Sequence, residues 1–240
     1  QNDMGAHMAD YGFFTDGRSV LWGDGTTGTP EQAIFSGIIT LCKQIHGKYP
    51  DVAVITVDGN FATPTVYRAV QQVNSELPCQ VIVGRGRSSQ KYRTPFDRKR
   101  ILRRGNECHW ERSPIHNSTS YVFNSHCWHF RLQTGFLQFP GSQASVALWG
   151  DDKQAHAQFA GHILAEKLKS MGENPATGQM EYEWAYAPGE HNDLGDAVVM
   201  ALVGANLEGG SYESGSDRHE EAGKAEKDAG IIRIPNSRRK

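Results

Sequence analysis

Apolar positions along this chain follow two rhythms, one suited to strands and one to helices. Val52-Ala53-Val54-Ile55-Thr56-Val57 is a short, largely β-branched run that stops at Asp58-Gly59-Asn60. A run of that kind, closed by turn formers, predicts a buried strand with Asp58 at its tip. Thr29-Pro30-Glu31-Gln32 opens a helix: Thr29 can cap, Pro30 suits the first helical position and Gln32 completes a capping box. That helix is expected to reach about residue 46, with Ile34, Ile38, Leu41 and Ile45 on one face. Thr63-Pro64 starts a second helix carrying Val66, Tyr67 and Val70. Further strands are expected over 79–83, 122–123, 145–148 and 181–186. Further helices are expected from a cap at Asn124 through Leu132, over 155–169 and over 193–207. Near the start, residues 4–14 read as a glycine-interrupted strand and Asp16-Gly17 as a hairpin turn. Residues 19–22 read as the return strand and 24–28 as a loop. Strands alternating with helices over 19–207 predict an α/β sheet, and no internal repeat is visible.

Composition sharpens this picture in three places. The 240 residues suffice for one large domain or two small ones. From Gly209 onward the chain is rich in Gly, Ser and mixed charge, so 1–208 is expected to fold and 209–240 to be a disordered charged tail. Cys42, Cys79, Cys108 and Cys127 form no CxxC pair, which argues for reduced thiols in a cytoplasm. No apolar run is long enough to span a membrane, and no signal-peptide pattern opens the chain. The opening Gln1-Asn2-Asp3 reads as cut from inside a longer chain.

Net charge is −2, so any nucleic-acid contact needs a local basic patch. One exists: Arg85, Arg87, Lys91, Arg93, Arg98, Lys99, Arg100, Arg103 and Arg104 stand against Asp97 alone. Gly84 and Gly86 would let the backbone come close to a phosphate. A solvated basic loop and a grip on a nucleic-acid backbone both fit this stretch.

Two carboxylates carry the candidate chemistry. Asp58 sits where open α/β sheets bind ligands, just past a strand's C-terminal end, although Asp58-Gly59-Asn60 also fits a plain turn. Asp196 lies in the first turn of the most apolar helix, behind Asp193 as the expected N-cap. Small apolar neighbours suggest that Asp196 is partly buried and needs a partner, either a metal ion or the nearby His191. Hard cations such as Mg²⁺ take oxygen ligands, often from only one or two carboxylates. Cys108-His109 and His126-Cys127 with His129 could mimic a zinc site, but their spacing matches no standard pattern. No GxxxxGK[ST] loop and no Gly-x-Ser-x-Gly elbow is present.

Four segments together resemble a known family. They are Val57-Asp58-Gly59-Asn60-Phe61-Ala62-Thr63-Pro64-Thr65-Val66-Tyr67, Val81-Ile82-Val83-Gly84-Arg85-Gly86, Leu137-Gln138-Phe139-Pro140 onward to Trp149, and Glu190-His191-Asn192-Asp193-Leu194-Gly195-Asp196-Ala197. In that order and spacing, over roughly residues 1–207, the chain resembles the C-terminal nuclease domain of the large subunit of phage terminase, of the lambda-like type. The resemblance implies an RNase H-like mixed central sheet flanked by helices. It implies a metal-dependent endonuclease that cuts concatemeric viral DNA during packaging. Two ions, Mg²⁺ or Mn²⁺, would straddle the scissile phosphate. By position, Asp58 would be the middle-strand carboxylate that bridges both ions, and Asp196 the last-helix carboxylate that holds one. The family's first-strand aspartate would lie upstream of Gln1, with Asp3 as the fallback metal ligand, so this fragment could lack activity. The resemblance also implies a motor ATPase domain that precedes this one and is expected to be missing from this fragment. The basic residues from Arg85 to Arg104 would grip double-stranded DNA. A small terminase subunit and a portal protein are the implied partners, no membrane is involved, and the setting is the host cytoplasm during phage assembly. Alternatives are another RNase H-like nuclease of the resolvase or integrase type, a non-catalytic DNA-binding or packaging-scaffold domain, and a zinc-stabilised binding module.

Overall fold

The computed structural model describes residues 6–8, 11, 29–88, 110–112, 120–142, 144–150, 152–175, 180–186 and 189–208. In chain order these form β1 (Ala6–Met8), α1 (Pro30–Lys48), β2 (Val54–Asp58), α2 (Thr63–Glu76), β3 (Gln80–Arg87), β4 (Trp110–Arg112) and β5 (Ser120–Asn124). There follow α3 (Ser125–Gly135), β6 (Val146–Leu148), α4 (Ala157–Ala165), β7 (Glu166–Glu173), β8 (Met180–Tyr186) and α5 (Asp193–Leu207). The Asp16-Gly17 hairpin, its return strand, Asp3 and the 209–240 tail lie outside the described residues.

The central sheet runs β2-β3-β5-β4, with β2, β3 and β5 parallel and β4 antiparallel at the edge. β2 is the other edge of this sheet among the described residues. Two smaller pairs stand apart, β1 parallel to β6 and the antiparallel ribbon β7-β8. The protein is therefore mixed α/β with a three-strand parallel core. Strand alternation explains its layers. Ile55, Val81 and Val83 point to one face and meet Cys42 of α1 with Val66, Val70 and Val73 of α2. Ile82, Tyr121 and Phe123 point to the other and meet Val199, Met200 and Val203 of α5 with Trp128 and Leu132 of α3.

The helix starts form as their sequences dictate. Thr29 accepts from Gln32 N, and the Gln32 side chain accepts from Thr29 N, closing the capping box. Asn124 caps α3 by accepting from Cys127 N. Leu41 is exposed, however, and Cys42 takes its place on the buried face beside Ile34, Ile38 and Ile45. Four-residue steps from Ile34 and Ile38 lead to Cys42, a small apolar residue that fits beneath α2.

Three elements differ from the sequence expectation. β3 continues to Arg87, because β5 pairs with Val83 through Arg87. β4 was not anticipated. The helix expected over 155–169 covers only 157–165, and Glu166 begins a strand instead. Tertiary pairing decides this last change: Glu166 through Glu173 pairs along β8, which helix-favouring Lys and Leu residues do not reveal locally.

Gly84 has a packing role rather than one in phosphate approach. A Cβ there would lie 2.5 Å from both Met200 Cε and Tyr121 Oη. Gly204 does the same on the helix side, where a Cβ would lie 2.5 Å from Thr56 Cγ2. These two bare positions let α5 lie close against β2 and β3. Gly84→Ala should lower unfolding stability by about 1–3 kcal/mol, because the Tyr121 ring is fully buried and cannot step aside. Urea denaturation reads this as a reduced midpoint, and an unchanged midpoint would refute the packing role.

Candidate functional site

An open cleft of about 550 Å³ lies at the C-terminal end of β2, between the sheet, α3, α5 and the base of the β7-β8 ribbon. Asp58, His129, Glu166, Asn192 and Asp196 line it. Asp58 arrives there because Val54, Thr56 and Asp58 share the face of β2 covered by α5. Asp196 arrives because Asp196, Met200, Val203 and Gly204 form one stripe of α5, with Gly204 over Thr56 and Met200 over Gly84. The helix runs so that its first turn, not its last, reaches the strand tip.

The two sequence-predicted carboxylates therefore line one cleft. Asp58 Oδ1 accepts from Asn60 N at 3.0 Å, so the turn geometry and a place in the cleft coexist. The cleft walls strip part of Asp58's hydration and raise its pKa, and the charge of Asp196 raises it further. The Asn60 and Gly59 amides and the Arg85 guanidinium pull in the opposite direction.

Asp196 differs from expectation in two respects. Its side chain is 56% exposed rather than partly buried, and its partner is not His191. It accepts from Asn192 Nδ2 at 3.2 Å and lies 3.0 Å from His129 Nε2. His191 instead lies 3.9 Å from Asp193. The N-cap position belongs to Asn192, with Asp193 as the first helical residue. Asn192 makes no side-chain cap bond. Leu194 N donates to His162 Nδ1 of α4, which leaves the Asn192 amide available to the cleft.

His129 and Glu166 complete the group; the sequence places His129 only within the zinc-like Cys/His set and Glu166 in no site. His129 is buried on α3, with Nδ1 2.8 Å from Glu166 Oε2 and Nε2 3.0 Å from Asp196 Oδ1. Gln133, one turn along the same helix face, donates to the carbonyls of Ile163 and Glu166. It thus satisfies the open end of α4 and fixes the backbone where β7 begins. Asn192 Nδ2 also donates to Glu166 Oε1 at 2.9 Å. The ribbon behind Glu166 is pinned to α3: Trp184 Nε1 donates to the His126 carbonyl, and Phe130 stacks on Tyr182.

Charge follows from this geometry. Burial disfavours the His129 cation, but Asp196 and Glu166 outweigh it and lift the pKa to about 9. Burial alone would raise Glu166; His129 and Asn192 reverse this and hold it below the usual carboxylate range. One donor atom each from His129, Glu166 and Asp196 lies within 4.8 Å of the others, so this group could hold a metal ion. Among the described residues no other such group of His, Cys, Asp and Glu occurs.

The remaining candidates sort as follows. By alternation, Arg85 and Arg87 share the α2 face of β3 with Val81 and Val83, and neither lines the cleft. Lys91, Arg93, Arg98, Lys99, Arg100 and Asp3 lie outside the described residues, as do Cys108 and His109. The other half of the zinc-like set separates: His129 joins Glu166 and Asp196, Cys127 is buried in the core, and His126 Nδ1 faces the Tyr182 carbonyl at 2.6 Å. Cys42, Cys79 and Cys127 are free thiols. No described helix is long and apolar enough to cross a membrane. Comparison with protein-family models, curated proteins and solved structures found no match.

The His129 bridge sets a pH dependence. Its folded pKa of about 9 exceeds the ordinary 6.5, so its contribution is complete below pH 6.5 and is lost as pH rises through 9. In chelator-containing buffer, unfolding free energy should fall across that window by on the order of 3 kcal/mol. His129→Gln should flatten the decline. Denaturant titrations at several pH values measure it, and parallel profiles for the two proteins would contradict the bridge.

Proposed function

We propose that the protein is a divalent-metal-dependent DNA endonuclease with an RNase H-like sheet, of the kind that trims concatemeric DNA during phage packaging. The observation that carries this reading is the convergence of Asp58 and Asp196, 138 residues apart in sequence, on one cleft at a strand's C-terminal end. The resemblance in the four sequence segments supports the same choice.

The residues present fit divalent cations. Asp58, Glu166 and Asp196 supply hard oxygen donors, and Asp58 and Asp196 are open to the solvent of the cleft. When bound, two Mg²⁺ or Mn²⁺ ions supply Lewis acidity and an activated water for phosphodiester hydrolysis. The chain's own groups do the rest. Asp58, held by the Asn60 amide, presents its free carboxylate edge to the cleft. Asp196 is steadied by Asn192 and His129. Arg85, from the far face of β3, favours the ionised form of Asp58 at the strand tip. The basic residues from Lys91 to Arg104 would hold the DNA backbone without reading sequence, as a cutter of packaged DNA requires.

A non-catalytic DNA-binding scaffold is the competing reading, and one assay separates the two. Supercoiled plasmid is incubated with the protein and Mn²⁺ or Mg²⁺, beside Asp58→Asn and Asp196→Asn. Nicking should require the metal and fall at least about a hundredfold in each variant, as expected when a group that holds charge in the transition state is removed. Cleavage that either variant leaves undiminished would take that residue out of the site. DNA binding with no cleavage and no carboxylate-dependent heat of Mn²⁺ binding would favour the scaffold.

A further inference from the structure

We infer that Nε2 of His129, together with Asp196, makes a nitrogen-bearing cation site on the α5 side of the cleft. This site selects a first-row transition ion such as Mn²⁺ or Zn²⁺ over Mg²⁺. The inference rests on the reading that the cleft takes divalent cations, and it deepens that reading by naming which ion and through which atom.

The geometry is that of a histidine prepared as a ligand. Metal-bound imidazoles almost always donate their second ring N–H to a carboxylate, which fixes the tautomer and aims the other nitrogen. His129 Nδ1 lies 2.8 Å from Glu166 Oε2, which leaves Nε2 directed at Asp196 and the cleft. The Nε2 to Oδ1 separation is 3.0 Å. Two donors at right angles on an ion with bonds of about 2.1 Å are about 3.0 Å apart, so the pair already forms one edge of a coordination polyhedron.

The rest of the surroundings serve the same arrangement. Glu166 offers Oε1 on the cleft side, where Asn192 Nδ2 joins it to Asp196 Oδ2. The ring itself is buried and its helix is anchored through Gln133, so the nitrogen is held in place rather than free to swing. Chemistry sets the preference. Imidazole favours the borderline first-row ions, whereas Mg²⁺ keeps its waters and seeks oxygen. Affinity among the former rises from Mn²⁺ towards Zn²⁺. Asp58, on the sheet side, offers oxygen alone.

Electron spin-echo spectroscopy of the full 240-residue chain, stripped of metal and loaded with substoichiometric Mn²⁺, tests this directly. Bound Mn²⁺ should show imidazole ¹⁴N couplings, which switch to ¹⁵N when the protein is made with ring-labelled histidine. His129→Gln should abolish them and weaken Mn²⁺ binding about tenfold or more, while His191→Gln leaves them intact. Glu166→Gln should retain the couplings but weaken binding about tenfold to a hundredfold. Zn²⁺ at one equivalent should displace the Mn²⁺, and a tenfold excess of Mg²⁺ should not. Bound Mn²⁺ with oxygen couplings only, couplings that survive His129→Gln, or ready displacement by Mg²⁺ would overturn the inference. Should His129→Gln fail to fold, the isotope switch in the unsubstituted protein and the Glu166→Gln result decide alone. The two readings separate cleanly. No Mn²⁺ binding at all sinks both. Oxygen-only binding with Asp58-dependent cleavage sinks only this one. Nitrogen couplings without any cleavage sink only the nuclease.

Discussion

Everything at this cleft depends on a surplus of negative charge that must be neutralised locally. Asp58, Glu166 and Asp196 come from three distant stretches of chain and face one partly desolvated space. Two like charges 4 Å apart cost about 4 kcal/mol at an effective dielectric near 20, so such a group cannot stand uncompensated. Arg85 acts on Asp58 from the other face of β3, while the imidazole of His129 compensates Glu166 and Asp196. It ties α3 to α5 through Asp196 and to the start of β7 through Glu166. The bond is thus a structural clamp as well as a charge balance. Any cation that replaces it must supply the same attraction or the three elements will repel.

The scaffold brings the acids together by close approach rather than by any special sequence around them. α5 lies flat on the sheet because Gly84 and Gly204 present no side chain at the crossing. Its stripe then carries Asp196 to the strand tip. The first turn of a helix is also the positive end of its dipole, which makes it tolerant of the acidic pair Asp193 and Asp196. The same dipole end favours any anionic substrate that approaches the cleft.

Much of this was legible from residues alone. The β-branched run to Asp58 and the bounds of α5 needed only periodicity and turn chemistry, and the capping box at Thr29 only three residues. The place of Asp58 and Asp196 in one cleft followed from putting one at a strand end and the other on the sheet-facing stripe of a helix. His129 and Glu166 were harder for different reasons. His129 sits between Trp128 and Leu132 on an apolar helix face, a signal of a buried, partnered imidazole, yet its partners lie 37 and 67 residues downstream. Glu166 was hidden by the helix expected over 155–169. Leu168 and Met171 stand three apart, so Lys167-Leu168-Lys169-Ser170-Met171 shows no strand alternation, and only pairing with β8 makes it a strand.

On the proposed function, the acidic cleft imposes an order of events. DNA is a dense polyanion, and a space lined by Asp58, Glu166, Asp193 and Asp196 repels it. Arg85 sits close enough to act on Asp58, yet it belongs to the opposite face of β3, and among the described residues no guanidinium lines the cleft. The His129 charge is already spent on two carboxylates that flank it. On the proposed function, positive charge for a phosphate inside the cleft would enter with the ions. Cation binding would then precede productive DNA binding, and the same carboxylates that hold the ions would exclude DNA from an unloaded site. On the same reading, such an arrangement would make cutting conditional on metal without any moving part, with the cleft's own field as the gate.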